Sequence, residues 1–147
     1  MDESTEQAIQ KINTRFYDAF ESLSLERMEE IWKHSEDIIC VHPGWDLFAG
    51  WLAVRESWMT IFQNTQRIQL LITNAKIRVF ENALAVVVCI ENIQSNVGQN
   101  EIKMGVIATN IFERQNITKN NMYREKWLMI HHHGSPLSNY IPPNVSV

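Results

Sequence analysis

The sequence predicts an α+β domain, a cone-shaped curved antiparallel sheet wrapped around N-terminal helices. Three observations predict it. Apolar residues recur at helical spacing in three stretches before residue 63. From about Ile68 the period changes to two. Turn residues then divide the strand-like region into four. Helix-helix-strand-helix followed by a long antiparallel sheet packs as helices on one sheet face, leaving a cone open at one end.

The elements follow in order. Ser4-Thr-Glu-Gln7 is a capping box, and Ile9, Ile12, Phe16 and Phe20 then form one helical stripe ending near Ser22. Tyr17, one residue from Phe16, is expected to point elsewhere on that helix. Ser24 caps a second helix, whose apolar face is Leu25, Met28, Ile31 and Trp32. Asp37-Ile-Ile-Cys-Val41 reads as a short strand broken by His42-Pro43-Gly44-Trp45, with Leu47–Gly50 returning. Val54, Trp58, Ile61 and Phe62 mark a third helix. Strands are expected near 68–80, 83–94, 101–114 and 124–134. Glu81-Asn82 and Asn96–Asn100 turn the first two hairpins, and the polar run Gln115–Met122 is expected to form a longer, mobile third. The whole chain, 1–147, reads as a single domain with its core at about 5–138 and a C-terminal tail at 139–147.

Composition narrows the function. A net charge of −4 and scattered basic residues exclude the footprint of a nucleic-acid binder or a polybasic membrane surface. No apolar run approaches the ~20 residues that span a bilayer, and the acidic start Met-Asp-Glu-Ser is unlike a signal peptide. Cys40 and Cys89 sit in apolar runs and read as buried thiols of a reducing, cytoplasmic environment. In the second long strand both faces are apolar: Ala85, Val87 and Cys89 on one, Leu84, Val86, Val88 and Ile90 on the other. Helices can cover one face; a second subunit is the simplest cover for the other, so a homodimer is expected.

The last strand, Glu125–Gly134, ends in three histidines. Strict alternation puts Trp127, Met129, His131 and His133 on the cone side and Leu128, Ile130 and His132 on the other. His132 is then expected to meet a partner subunit or a carbonyl, and His34 to meet the carbonyls at a helix end. His131 and His133 with Glu91 or His42 could in principle bind a metal, but i, i+2 spacing is weak evidence and no metal site is assigned.

The element order, together with Phe16-Tyr-Asp-Ala-Phe20, His42-Pro-Gly-Trp45, Gly50–Trp58 and Trp127…His131-His-His-Gly-Ser135, resembles the SnoaL-like, ketosteroid-isomerase-like branch of the nuclear-transport-factor-two-like superfamily. The resemblance implies a cystatin-like architecture. It places His42 where similar isomerases hold their base, Phe16 where they hold a tyrosine hydroxyl, and Asn110 where they hold a protonated aspartate. It also implies pocket positions at Val87, Cys89, Glu91, Met129, His131 and His133. The calmodulin-dependent kinase association domain is similar too, but its two pocket arginines are matched here by Glu91 and Asn110.

These readings converge on a small, largely apolar ligand above a polar floor. His42 titrates near neutrality and would be the base, Asn110 the donor to a developing oxyanion, and Glu91 with His131 the orienting network. Phe16, Trp45, Trp58, Val87, Cys89, Phe112, Met129 and His133 would line the ligand site. The expected chemistry, if any, is a cofactor-free isomerisation, dehydration or cyclisation. A non-catalytic ligand-binding or oligomerisation module is the alternative.

Overall fold

The structure, a computed structural model, describes residues 3–119 and 122–143. Its element order is α1 (Thr5–Glu21), α2 (Leu25–Ile31), β1 (Ile39–Val41), β2 (Leu47–Ala49), α3 (Trp51–Asn64), β3 (Arg67–Phe80), β4 (Leu84–Val97), β5 (Asn100–Lys119) and β6 (Met122–Pro136). One six-stranded sheet runs in the order β2-β1-β6-β5-β4-β3. All neighbours are antiparallel except β1 and β6, which are parallel.

Local chemistry sets the helix ends. Ser4 accepts from the Gln7 amide and the Gln7 side chain accepts from the Ser4 amide, so both partners of the capping box are made. Ser24 accepts from the Arg27 amide to start α2. Gly50 precedes α3 at φ 87°, a conformation that side chains resist. The helices lay Ile9, Ile12, Phe16, Phe20, Met28, Ile31, Val54 and Trp58 against the inner sheet face, where Ala85, Val87, Ala108, Phe112 and Met129 meet them in one core. Among the described residues, no helix is long and apolar enough to cross a membrane.

Three features depart from simple alternation. The run 115–119, expected as loop, is the end of β5, and Lys119 pairs with Met122. A neighbouring strand satisfies backbone groups whatever the side-chain polarity, so the polar sequence there did not forbid a strand. The expected hairpin tip, residues 120 and 121, lies outside the described residues, as do tail residues 144–147. In β3 a bulge sets Asn74 and Ala75 opposite Cys89, with Asn74 at φ 57°. In β6 a second bulge lets Ile111 pair with His131 but Phe112 with Met129, leaving Ile130 as the extra residue.

The β6 bulge corrects the expected faces of the histidine run. Trp127 and Met129 point inward as expected, but one extra residue flips every later side chain. His132 is therefore the inward histidine, 1% exposed, while His131 and His133 lie on the outer face with ring centroids 6.3 Å apart.

The outer face carries exposed apolar residues among polar ones. Val88 is 37% and Ile107 42% exposed near its centre. The tail covers one end: Tyr140 donates to Asn92 Oδ1 at 2.5 Å, and its ring lies where a side chain at Gly105 would sit.

Candidate functional site

Four elements bring polar side chains together inside the core. Asn13 and Tyr17 lie one turn apart on α1, Cys89 and Glu91 share the inner face of β4, Asn110 comes from β5 and His132 from β6. Tyr17 Oη donates to Glu91 Oε2 at 2.7 Å. Asn110 Nδ2 donates to Asn13 Oδ1 at 2.9 Å and to Tyr17 Oη at 3.0 Å. Both amide hydrogens are thereby used, so Asn110 Oδ1 must accept from His132 Nδ1 at 2.6 Å. That fixes the neutral His132 as the Nδ1–H tautomer, with its Nε2 lone pair facing Glu91 Oε2 at 4.0 Å. The Cys89 thiol lies 3.3 Å from Tyr17 Oη, whose own proton is committed to Glu91.

Burial sets the charges. Glu91 is 1% exposed, and desolvation pushes its carboxyl up to about 7, although the Tyr17 hydrogen bond pulls the other way. His132 is held well below the usual imidazole range by burial and then by the neighbouring histidines. Glu91 and His132 have the spacing of an ion pair, but desolvation favours the neutral form of each, and we read them as a pair sharing at most one proton. Burial also raises Tyr17 and Cys40, and lifts Cys89 to about 11. Within this cluster, Glu91 is the group that can change its protonation near neutral pH.

His42 forms a second polar island. Ser57 Oγ donates to the Val54 carbonyl at 2.7 Å, so it accepts from His42 Nε2 at 2.9 Å. The His42 ring packs edge-on against Trp58 at 4.6 Å and stands 6.5 Å from His132, centroid to centroid. Burial drives its imidazole down to about 4, so it is neutral and held in the Nε2–H form. A histidine so far down is a weak base at neutral pH, unlike the one expected from the sequence.

Glu91, Asn110 and Cys89 thus meet as expected. Phe16, Trp58, Val87, Phe112 and Met129 surround them as fully buried packing, while Trp45 lies at the rim, 43% exposed. His131 and His133 do not join them, for the β6 bulge turns both to the outer face. The expected pairing of Glu91 with His131 is replaced by Glu91 with His132, and the set of two histidines and a carboxylate is not assembled. Tyr17, expected to point elsewhere, is the hub: the buried face of α1 is wide enough to include positions 16 and 17. Asn13, Ser57 and His132 were also missed. Polar Asn13 and Tyr17 at i, i+4 beside an apolar stripe were the available signal. His34 meets the Glu29 carbonyl at 2.8 Å as expected, and stacks on Trp51.

A groove of about 350 Å³ between α1 and β3 leads to this cluster. Gln10, Thr14, Asp18 and Glu21 form its helical rim, Leu70, Ile72, Ala75 and Ile77 its β3 wall, and Asn13, Tyr17 and Val87 its depth.

The SnoaL-like domain model matches residues 9–139. A candidate dehydratase of the NTF2-like family from Streptomyces avermitilis is 30% identical, with a TM-score of 0.76 over 90% of this chain and 95% of that one. A candidate calcium/calmodulin-dependent protein kinase type II association domain from Thiobacillus denitrificans is 25% identical, with a TM-score of 0.72 over 88% and 94%. F-box protein SKIP8 of Arabidopsis thaliana is 26% identical over 132 residues, covering 90% of this chain and 51% of that protein. The chain therefore spans about half the length of that curated relative.

Proposed function

The chain belongs to the SnoaL-like domain family, and from that premise we propose that it binds a small carbonyl compound and moves a proton on it without a cofactor. One observation carries this reading: a buried carboxyl raised to about 7, hydrogen-bonded to a tyrosine that lines a groove. Proton donors and acceptors work best when their pKa lies near the working pH. Glu91, rather than His42, is the proton store in this scheme.

Tyr17 relays. As its Oη takes a proton from a substrate carbon, its own proton passes to Oε2 of Glu91 in its ionised form, leaving Tyr17 neutral, Glu91 protonated and the substrate an enolate. Asn110 holds the Tyr17 oxygen in place at 3.0 Å. Return of the proton at another atom gives isomerisation; departure of a β-hydroxyl with that proton gives water and a dehydrated product. Tyr17 never needs to become a phenolate, in keeping with its raised pKa. The similarity to a candidate dehydratase supports this class of reaction.

Proton exchange into deuterium oxide, followed by NMR across a panel of ketones and β-hydroxy carbonyl compounds, tests it. The wild type should label at least one compound at the carbon beside the carbonyl, and Glu91→Gln and Tyr17→Phe should each slow labelling at least about a hundredfold. Equal labelling by all three proteins would rule the scheme out.

An association role has its own support in the apolar residues exposed on the outer face, Val88 and Ile107, and in the likeness to a kinase association domain. In this reading two copies pack sheet to sheet as a homodimer. It is compatible with chemistry on the inner face.

A further inference from the structure

The groove carries a charge pattern that says what kind of ligand it admits. We infer that the α1–β3 groove is a binding site for organic cations: molecules with an ammonium group, an apolar body and a polar end. This rests on the reading of the buried cluster as a ligand site and adds the class of ligand.

Three parts of the groove make the case. The first is the rim. Positions 10, 14, 18 and 21 follow one edge of α1 at helical spacing, and two of the four are carboxylates, Asp18 and Glu21. Among the described residues, no lysine, arginine or histidine lines the groove. Lys76 flanks Ile77 on β3 but pairs with Val88 of the outer face, while Ile77 pairs with inward Val87. Glu21 Oε2 accepts from the Leu70 amide at 2.9 Å, which ties the helix to the edge strand and closes one end while keeping the negative charge there. Asp18 has no such tie among the described residues.

The second part is the wall. Leu70, Ile72, Ile77 and Val87 give a continuous apolar surface. The β3 bulge at Asn74 and Ala75 stands opposite Cys89, so the strand is displaced where the groove approaches the cluster. The third part is the inner end, where Asn13 and Tyr17 are 7% and 5% exposed. The volume of about 350 Å³ lies within the range of small-molecule sites. An anion would meet the two carboxylates at the rim, whereas a cation would be drawn by both.

Three probes of nearly equal shape test this on the full chain by calorimetry or ligand-observed NMR at low salt: phenethylamine, phenethyl alcohol and hydrocinnamate. The amine should bind best and hydrocinnamate worst. Asp18→Asn should weaken the amine by roughly twofold to fivefold, as expected for a partly exposed charge pair, with little effect on the alcohol. Ala75→Trp, at an exposed bulge position, should remove binding of all three without altering the fold by circular dichroism. Glu91→Gln should keep the preference for the amine over hydrocinnamate. Hydrocinnamate binding the wild type as tightly as phenethylamine would overturn the cation inference and leave the proton-transfer reading standing. If no probe binds, or binding persists in Ala75→Trp, the groove is not the site and both readings fall.

Discussion

Each face of the sheet departs from the usual distribution of polarity. The inner face buries Glu91, Asn110 and His132 completely, together with Tyr17 and Asn13 from α1. The outer face leaves Val88 and Ile107 more than a third exposed. Burying a carboxyl and an imidazole is costly unless every lone pair and proton is matched, and an apolar core of the same volume is often more stable. A network so closely matched is therefore poorly explained by stability and better explained by chemistry. The outer face teaches the converse. Apolar side chains there cost the isolated fold little, so their presence points to an external cover rather than to folding.

That contrast sets the scale of mutational effects. Asn110→Ala should have the largest, because one side chain satisfies Asn13, Tyr17 and His132 at once. Its removal leaves three buried polar groups short of a partner, and urea unfolding should report a loss of about 3–5 kcal/mol. Asn110→Asp, which cannot donate twice, should be nearly as harmful. Val88→Arg on the outer face should change single-chain stability by less than about 0.5 kcal/mol, yet convert a dimer to monomers in native mass spectrometry. A dimer that survived Val88→Arg would move the interface away from the centre of this face.

The sequence made the architecture legible because helix stripes and strand alternation are repeated signals. Ile9, Ile12, Phe16 and Phe20 have no other helical arrangement, and Val87, Cys89 and Glu91 share a strand face by period alone. The candidate site was legible only in part because single residues decide it. One extra residue at Ile130 exchanges His132 for His131 and His133, and no periodic pattern carries a bulge. Likewise, Tyr17 rather than Phe16 supplies the hydroxyl because both lie on the buried side of α1, a question of how wide that side is. His42 precedes Pro43 as the resemblance requires, but its burial against Trp58 takes it out of the neutral range. A lone imidazole in a sequence gives no measure of its solvation.

Everything proposed for the inner face depends on Glu91 holding its proton to near neutrality, and stability as a function of pH measures that directly. Its carboxyl is raised in the folded state, from 4.5 to about 7, so it contributes stability that is fully present below about 4.5 and lost as pH rises through 7. His42, depressed to about 4, acts in the opposite sense as pH falls from 6.5. That effect is common to wild type and Glu91→Gln and cancels in their difference. Urea unfolding of both proteins at a series of pH values should therefore show Glu91→Gln gaining on wild type by about 3 kcal/mol between pH 4.5 and 7, with a constant difference above. A difference that stayed flat across that interval would mean Glu91 ionises in the fold as it does in water, and would contradict its role as the proton store.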